Sequence, residues 1–156
     1  METESCFWKG RLNVTELKEF LKKHPNTSGV EVMMPDNNGI IRGKRVDIHE
    51  AESLFEKGLN FCAATPLLDS GGDVIDGLIL GSDDGDPDIF GHPVDGSLAP
   101  VPWLEKEMAQ VLLTLVDKEG SPYPHEARNV LSRVVQKLSD DDLHATIAVE
   151  LEFYLY

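Results

Sequence analysis

The sequence predicts an α+β fold, and three patterns carry that expectation. The first is a hairpin: Val30-Glu31-Val32-Met33-Met34 and Ile40-Ile41-Arg42-Gly43-Lys44-Arg45-Val46 flank Pro35-Asp36-Asn37-Asn38-Gly39, a stretch dense in turn formers. The second is a helix over about 48–57, with Ile48, Ala51, Leu54 and Phe55 on one face. Asp47 with Glu50 three residues on resembles a capping box, and Gly58 suits the C-terminal end. The third is the strongly apolar run at 109–116, followed by a second helical stripe and a closing alternation. A hairpin, a helix and further short strands predict a helix crossing a sheet.

The chain has 156 residues, enough to bury a real core in one domain or two small ones. Lys and Arg number 14 against 28 Asp and Glu, a net charge of −14. Such acidity argues against nucleic acid and anionic membrane as partners, since both require basic surface. It suits cation binding, although acidic solubility is the blander cause. There is no run of 18 apolar residues, and the acidic N-terminus lacks the apolar core of a secretory signal. Cys6 and Cys62 have no metal-type spacing; reduced thiols in the cytoplasm are the expectation.

In chain order, residues 1–13 are polar with isolated Phe7 and Trp8, the pattern of a loosely held arm. A helix starts at Thr15, the expected cap, and buries Leu17, Phe20 and Leu21 at i, i+3, i+4; His24-Pro25 ends it. Leu59 to Gly77 is weakly patterned, with a loop at 69–73, and 78–81 is a short apolar run. From Ser82 to Pro102, five aspartates and four prolines predict irregular or edge-strand chain. Asp-Asp-Gly-Asp there lacks the closing glutamate and flanking helices of a Ca²⁺ loop. After the 109–116 strand, residues 117–120 turn, and a helix over about 126–138 carries Val130, Leu131, Val134, Val135 and Leu138 on one stripe. Strand, helix and parallel strand would open a second unit. The expected organisation is therefore an arm and helix at 1–27, a first domain at 28–105 and the start of a second at 106–156.

The chemistry concentrates at 147–156. Val149, Leu151, Phe153 and Leu155 alternate, which predicts a strand with one face on a core. Glu150 and Glu152 then share the other face, with Cα atoms roughly 6.7 Å apart. Two carboxylates on one rigid strand suit Mg²⁺ or Mn²⁺, which take oxygen ligands. The plain alternative is a solvated polar face. Against it, Ala148, Tyr154 and Tyr156 make that face only partly polar, and a charge pair placed there wants a partner. Elsewhere no phosphate loop of the G-x-x-x-x-G-K-[ST] type occurs, and the five histidines are scattered, so none is assigned to chemistry. Arg42, Lys44 and Arg45, the densest basic cluster, are expected to be structural or subunit-contact residues.

Met34-Pro35-Asp36, Gly39, Arg42-Gly43-Lys44, Pro102-Trp103, Gln110, Asp117, Gly120-Ser121-Pro122-Tyr123, Arg128, Leu131 and Glu150-Leu151-Glu152-Phe153-Tyr154-Leu155 occur in that order. Together they resemble the N-terminal third of the glutamine synthetase family over about residues 28–156, on the side of the γ-glutamylpolyamine (putrescine) synthetase branch. The resemblance implies a β-grasp domain followed by the first strand-helix-strand unit of a catalytic domain. It implies phosphorylation of the glutamate γ-carboxylate by ATP with Mg²⁺ or Mn²⁺, and displacement of phosphate by ammonia or an amine. Glu150 and Glu152 would each serve one of two metal sites. It also implies a homo-oligomeric ring in which one subunit closes the site of the next.

Three departures matter. The sequence given ends at Tyr156, so the nucleotide, glutamate and remaining metal residues of the family have no counterpart, and a fragment inactive alone is the expectation. The Asp-Gly-Ser-Ser segment of ammonia-using members has no counterpart between Leu59 and Gly77; Asp69 and Asp73 are the alternative substitutes there. Glu126-Ala127-Arg128 stands where Asp-Pro-Arg is usual, and Ala148 where Gly is usual, both read as drift. A non-catalytic β-grasp protein acting as a subunit-interaction module is the alternative.

Overall fold

The computed structural model describes residues 14–77 and 85–156. The expected arm at 1–13 and the apolar run at 78–81 lie outside the described residues. Helix α1 spans Val14–Lys23, strand β1 Gly29–Pro35, β2 Ile41–Asp47, helix α2 Ile48–Lys57, β3 Leu59–Cys62, β4 Asp88–Pro93, β5 Ala99–Pro100, β6 Ala109–Val116 and helix α3 Ala127–Asp140. The strands form one mixed sheet in the order β2-β1-β6-β4-β3, with β5 also paired to β6.

The hairpin forms as expected, antiparallel, with Val32 opposite Lys44 and Glu31 opposite Arg45. Gly43 stands against Met33, and a Cβ there would lie 1.8 Å from the Val32 carbonyl oxygen, so only glycine fits this approach. Asp47 caps α2 by accepting the His49 N–H at 2.9 Å, and Gly58 closes it at φ +77°. Thr15 lies inside α1 rather than capping it. Instead the Glu16 carboxylate accepts the N–H groups of Gly96 and Leu98 and fastens α1 to the loop before β5.

Leu17, Ala51, Leu54 and Phe55 of the two helices pack on Val30, Val32, Val111 and Leu113 of the sheet. A second cluster gathers Met34, Ala63, Ile89, Leu115 and Tyr123. Among the described residues no helix is long and apolar enough to cross a membrane.

Three expectations need correction. The 109–116 strand does not open a second unit. β6 is hydrogen-bonded to β1 in parallel and to β4 antiparallel, at the middle of the sheet, so the sheet does not divide at residue 105. Residues 88–93, read as irregular or edge chain, form an interior strand; Pro87 precedes it and Pro93 ends it, where a missing donor is tolerated. The closing strand does not form: residues 143–156 carry no regular structure and are exposed. Val149 and Leu151 are 81% and 82% exposed. Alternation makes a strand only where a ladder partner and an apolar floor exist, and the described residues offer this segment neither. For the same reason the stripe of α3 stays open, with Leu131 58% exposed.

Gly43→Ala should cost on the order of 3 kcal/mol, because backbone must move in the hairpin. Gly39→Ala, at φ +79° with nothing within 4 Å, should cost only the left-handed penalty of about 1–2 kcal/mol. Urea unfolding of the two variants checks the order; equal losses would mean the Val32 contact does not matter.

Candidate functional site

Glu150 and Glu152 lie in the irregular, exposed segment, so the structure does not hold them on a common strand face. Among the described residues no group of three or more His, Cys, Asp or Glu side chains is placed to hold a metal ion. The pair's chemistry fits a hard cation, but two carboxylates fill only two of its roughly six positions.

The built polar centres lie elsewhere. At the hairpin tip the Asp36 side chain is fully buried and every interaction is satisfied. Its Oδ1 accepts the N–H groups of Asn38 and Ile40, each at 2.9 Å, and its Oδ2 accepts Nε and Nη2 of Arg42 at 2.9 Å. Burial opposes the Asp36 charge, but the Ile40 N–H, the Arg42 guanidinium and the Asn38 N–H outweigh it and hold the carboxyl below its ordinary value. Arg42 Nη2 also donates to the Asp69 carbonyl at 3.0 Å. Asp69 Oδ1 accepts three successive backbone N–H groups, those of Gly71, Gly72 and Asp73, at 2.8, 2.8 and 2.9 Å. These hold its carboxyl below the ordinary range, the Asp73 N–H contributing most. Asp69 is thus committed to closing its own loop, whereas Asp73 is exposed. The basic cluster divides likewise. Arg42 is structural, Arg45 pairs with its cross-strand neighbour Glu31 at 2.7 Å, and Lys44 is exposed.

The second centre is Glu126, 1% exposed. β1 covers β6 only as far as Leu112. Beyond it, Glu126 Oε2 accepts the Leu115 N–H and the Thr114 hydroxyl, both at 3.0 Å. Asn129 Nδ2 donates to the Leu115 carbonyl, and the Tyr123 hydroxyl donates to the Ala63 carbonyl. The residue at the N-terminal cap position of α3 therefore turns its carboxylate into the sheet and finishes the strand edge. Burial pushes the Glu126 carboxyl up; the Leu115 N–H, Thr114 and the Arg128 charge only partly offset it. Glu126 was not legible as anything but drift, since nothing in its local pattern shows that it reaches back to β6.

A further open cleft of about 390 Å³ lies between the end of α1 and the segment before β6, with Lys23, His24, Glu107 and Met108 in its lining. Its polar groups bond one another, Asn26 Nδ2 to Glu107 Oε1 and Thr27 Oγ1 to the His24 carbonyl. Cys62, a free thiol, is raised above its ordinary value, first by its hydrogen bond to Asp86, and is a poor nucleophile.

Because the Glu126 value is raised, the folded chain keeps a proton that the unfolded chain releases. Stability from this group is fully present below about 4.5, its ordinary value, and is lost as pH rises through the folded value. Glu126→Gln should therefore gain on wild type between pH 4.5 and 7.5, by on the order of 1 kcal/mol. Urea midpoints across that range check this; a pH-independent gap would show that Glu126 stays charged when folded.

No protein-family model matches the chain. Curated relatives do. The chain is 42% identical over 147 residues, 94% of its length, to γ-glutamylputrescine synthetase of Escherichia coli K12, and spans 31% of that protein. It is 30% identical over 152 residues to glutamate–isopropylamine ligase of a Pseudomonas species, spanning 32% of it, and 30% identical over 128 residues to type-1 glutamine synthetase 2 of Dictyostelium discoideum, spanning 24%. The chain thus covers about a quarter to a third of these relatives. Among solved structures, a glutamine synthase homologue aligns with TM-score 0.63 at 21% identity, over 74% of this chain and 27% of that one. The GmaS/ADP complex aligns with TM-score 0.59 at 20% identity, over 79% and 25% respectively. In sequence this chain is similar to the N-terminal part of glutamine synthetase-type ligases, and in fold to part of a glutamine synthase homologue.

Proposed function

We propose that the chain is the N-terminal part of an ATP-dependent ligase that joins the glutamate γ-carboxylate to an amine through γ-glutamyl phosphate. The observation that carries this reading is the 42% identity along 94% of the chain to a γ-glutamylputrescine synthetase. Relatives named for isopropylamine, anilide and ethanolamide products share the glutamate half and differ in the amine. A primary amine or polyamine rather than ammonia is the favoured nitrogen donor. The segment between Leu59 and Gly77, where this chain departs from the ammonia-using pattern, is our candidate for the amine-side element.

In this reading the first domain is the sheet built on β6, and a catalytic domain begins after it, on α3. The working form is a homo-oligomeric ring. Glu150 and Glu152 would hold Mg²⁺ or Mn²⁺ once the 147–156 segment gains a ladder partner. The metal with ATP would supply neutralisation of the transferring phosphoryl group. The chain's own contribution is to position: the sheet carries the hairpin and the 66–73 loop, and Glu126 fixes α3 to β6. A non-catalytic interaction module is the second reading. It is favoured by one observation, that the sheet has a complete core while the glutamate pair is not assembled.

The discriminating experiment is a chimera in which residues 1–156 replace the matching third of the E. coli relative. Phosphate release dependent on ATP, glutamate and putrescine is expected, lost in Glu150→Gln plus Glu152→Gln. A folded, assembled chimera without turnover would favour the module. The 156 residues alone should show no turnover, and calorimetry should find Mn²⁺ binding no tighter than about millimolar, because two carboxylates leave most of the coordination shell to water.

A further inference from the structure

Helix α3 is joined to the sheet through its first turn. Glu126 Oε2 accepts the Leu115 N–H and the Thr114 hydroxyl at 3.0 Å, and Asn129 Nδ2 donates to the Leu115 carbonyl at 2.8 Å. Past that turn the helix presents its apolar stripe to water, and neither core cluster includes a residue of 127–140. The helix can therefore leave β6 without opening the core. The hydrogen bonds at Glu126 are also one-sided. Oε2 takes both donors, while Oε1 is equally buried and meets no donor among the described residues. That is the pattern of a neutral acid, whose carbonyl oxygen accepts and whose hydroxyl carries the proton. A carboxylate spreads its charge over both oxygens, and a bare charged oxygen costs far more to bury than a bare hydroxyl. Few charges are at hand to steady it. β6 has no titratable side chain. On β4, His92 stands opposite Thr114, and burial pushes its value down and keeps it neutral. In the turn, Asp117 spends Oδ1 on the Glu119 and Ser121 N–H groups, and the Tyr123 hydroxyl goes to Ala63. His125 is exposed. Arg128, on the helix itself, is the charge that bears on Glu126, and it offsets burial only in part.

We infer that Glu126 is a proton-operated latch for α3: the neutral acid holds the first turn on β6, and ionisation frees the helix while the sheet stays folded. Docked, Glu126 keeps its proton above 4.5, its ordinary value; in a freed helix it ionises near that value. Freeing α3 thus releases a proton. It becomes more favourable as pH rises from 4.5 to the docked value, and the gain stops once both forms are ionised. Arg128 sets where the gain stops, since its charge steadies the docked carboxylate. The opening is local, unlike the global unfolding that urea reads.

The test uses the 156-residue chain labelled with ¹⁵N and ¹³C. The Glu126 carboxyl ¹³C shift gives its midpoint, expected above 4.5. Amide exchange at Val130, Leu131 and Val134 is compared between wild type and Glu126→Gln at each pH, which cancels the pH dependence of exchange itself. Glutamine keeps a carbonyl oxygen for Leu115 and Thr114 and carries no charge. The ratio of wild type to variant should be flat below about pH 4.5, climb by up to about tenfold per pH unit above it, and level off at the Glu126 midpoint. Exchange at Val32 and Val111 should stay within about twofold throughout. Arg128→Met should raise the midpoint by about half a unit or more and carry the climb to higher pH; an unmoved midpoint there strikes Arg128 from the device. If the glutamine variant does not fold, the wild-type α3 amides are referred to Val32 and Val111 in the same sample. A midpoint at or below 4.5, a flat ratio, or an equal climb at Val32 and Val111 overturns the latch.

Discussion

The rest of the structure depends on the parallel pairing of β1 with β6. Val30 to Met33 run beside Ala109 to Leu112, strands about eighty residues apart in sequence. On one side this contact carries the β1–β2 hairpin, on the other β4 and β3. Without it the hairpin and its helix would have half a core, since Val111 and Leu113 supply the floor beneath Leu54 and Phe55. Bringing two distant strands together costs loop-closure entropy before any contact repays it. The capped α2 and the antiparallel pairing of β3 with β4 shorten the loop that has to be closed between the two strands.

What was legible in the sequence is what is local. The hairpin turn, the capped α2, the apolar β6 and the stripe of α3 are each set by neighbours within a few residues. What failed was set by distance. No local pattern says that β6 lies between β1 and β4 rather than opening a new layer. Nor does one say that β4, flanked by prolines, is interior. Glu126 is the clearest case: its partners lie on β6 across the turn at 117–120. The alternation at 147–156 was read correctly as a pattern and wrongly as a formed strand, because the pattern records a preference and the strand needs a neighbour.

The candidate site shows the same division. The Glu150–Glu152 spacing is visible in the sequence, yet its geometry depends on a sheet that the described residues do not supply. The Asp36–Arg42–Asp69 connection was visible only as a turn, a basic cluster and a loop. Three modest features become one unit because a buried carboxylate needs a cation and the cation has a donor to spare. Asp69 and Asp73, equivalent by composition, are separated by the fold: one is spent on backbone N–H groups and the other faces solvent.

The open stripe of α3 and the apolar alternation at 147–155 have a consequence for colloidal behaviour. The helix stripe presents valine and leucine side chains to water, and the 147–155 segment presents β-branched and aromatic ones in a stretch of high strand preference. Copies of this chain would meet there first, and the force holding them apart is the net charge of −14. That charge comes from carboxylates, so it fades in mild acid and is screened by salt over a Debye length of about 8 Å at physiological ionic strength. The same acidic composition that argues against nucleic-acid partners thus works as the chain's guard against self-association, until another sheet covers those surfaces.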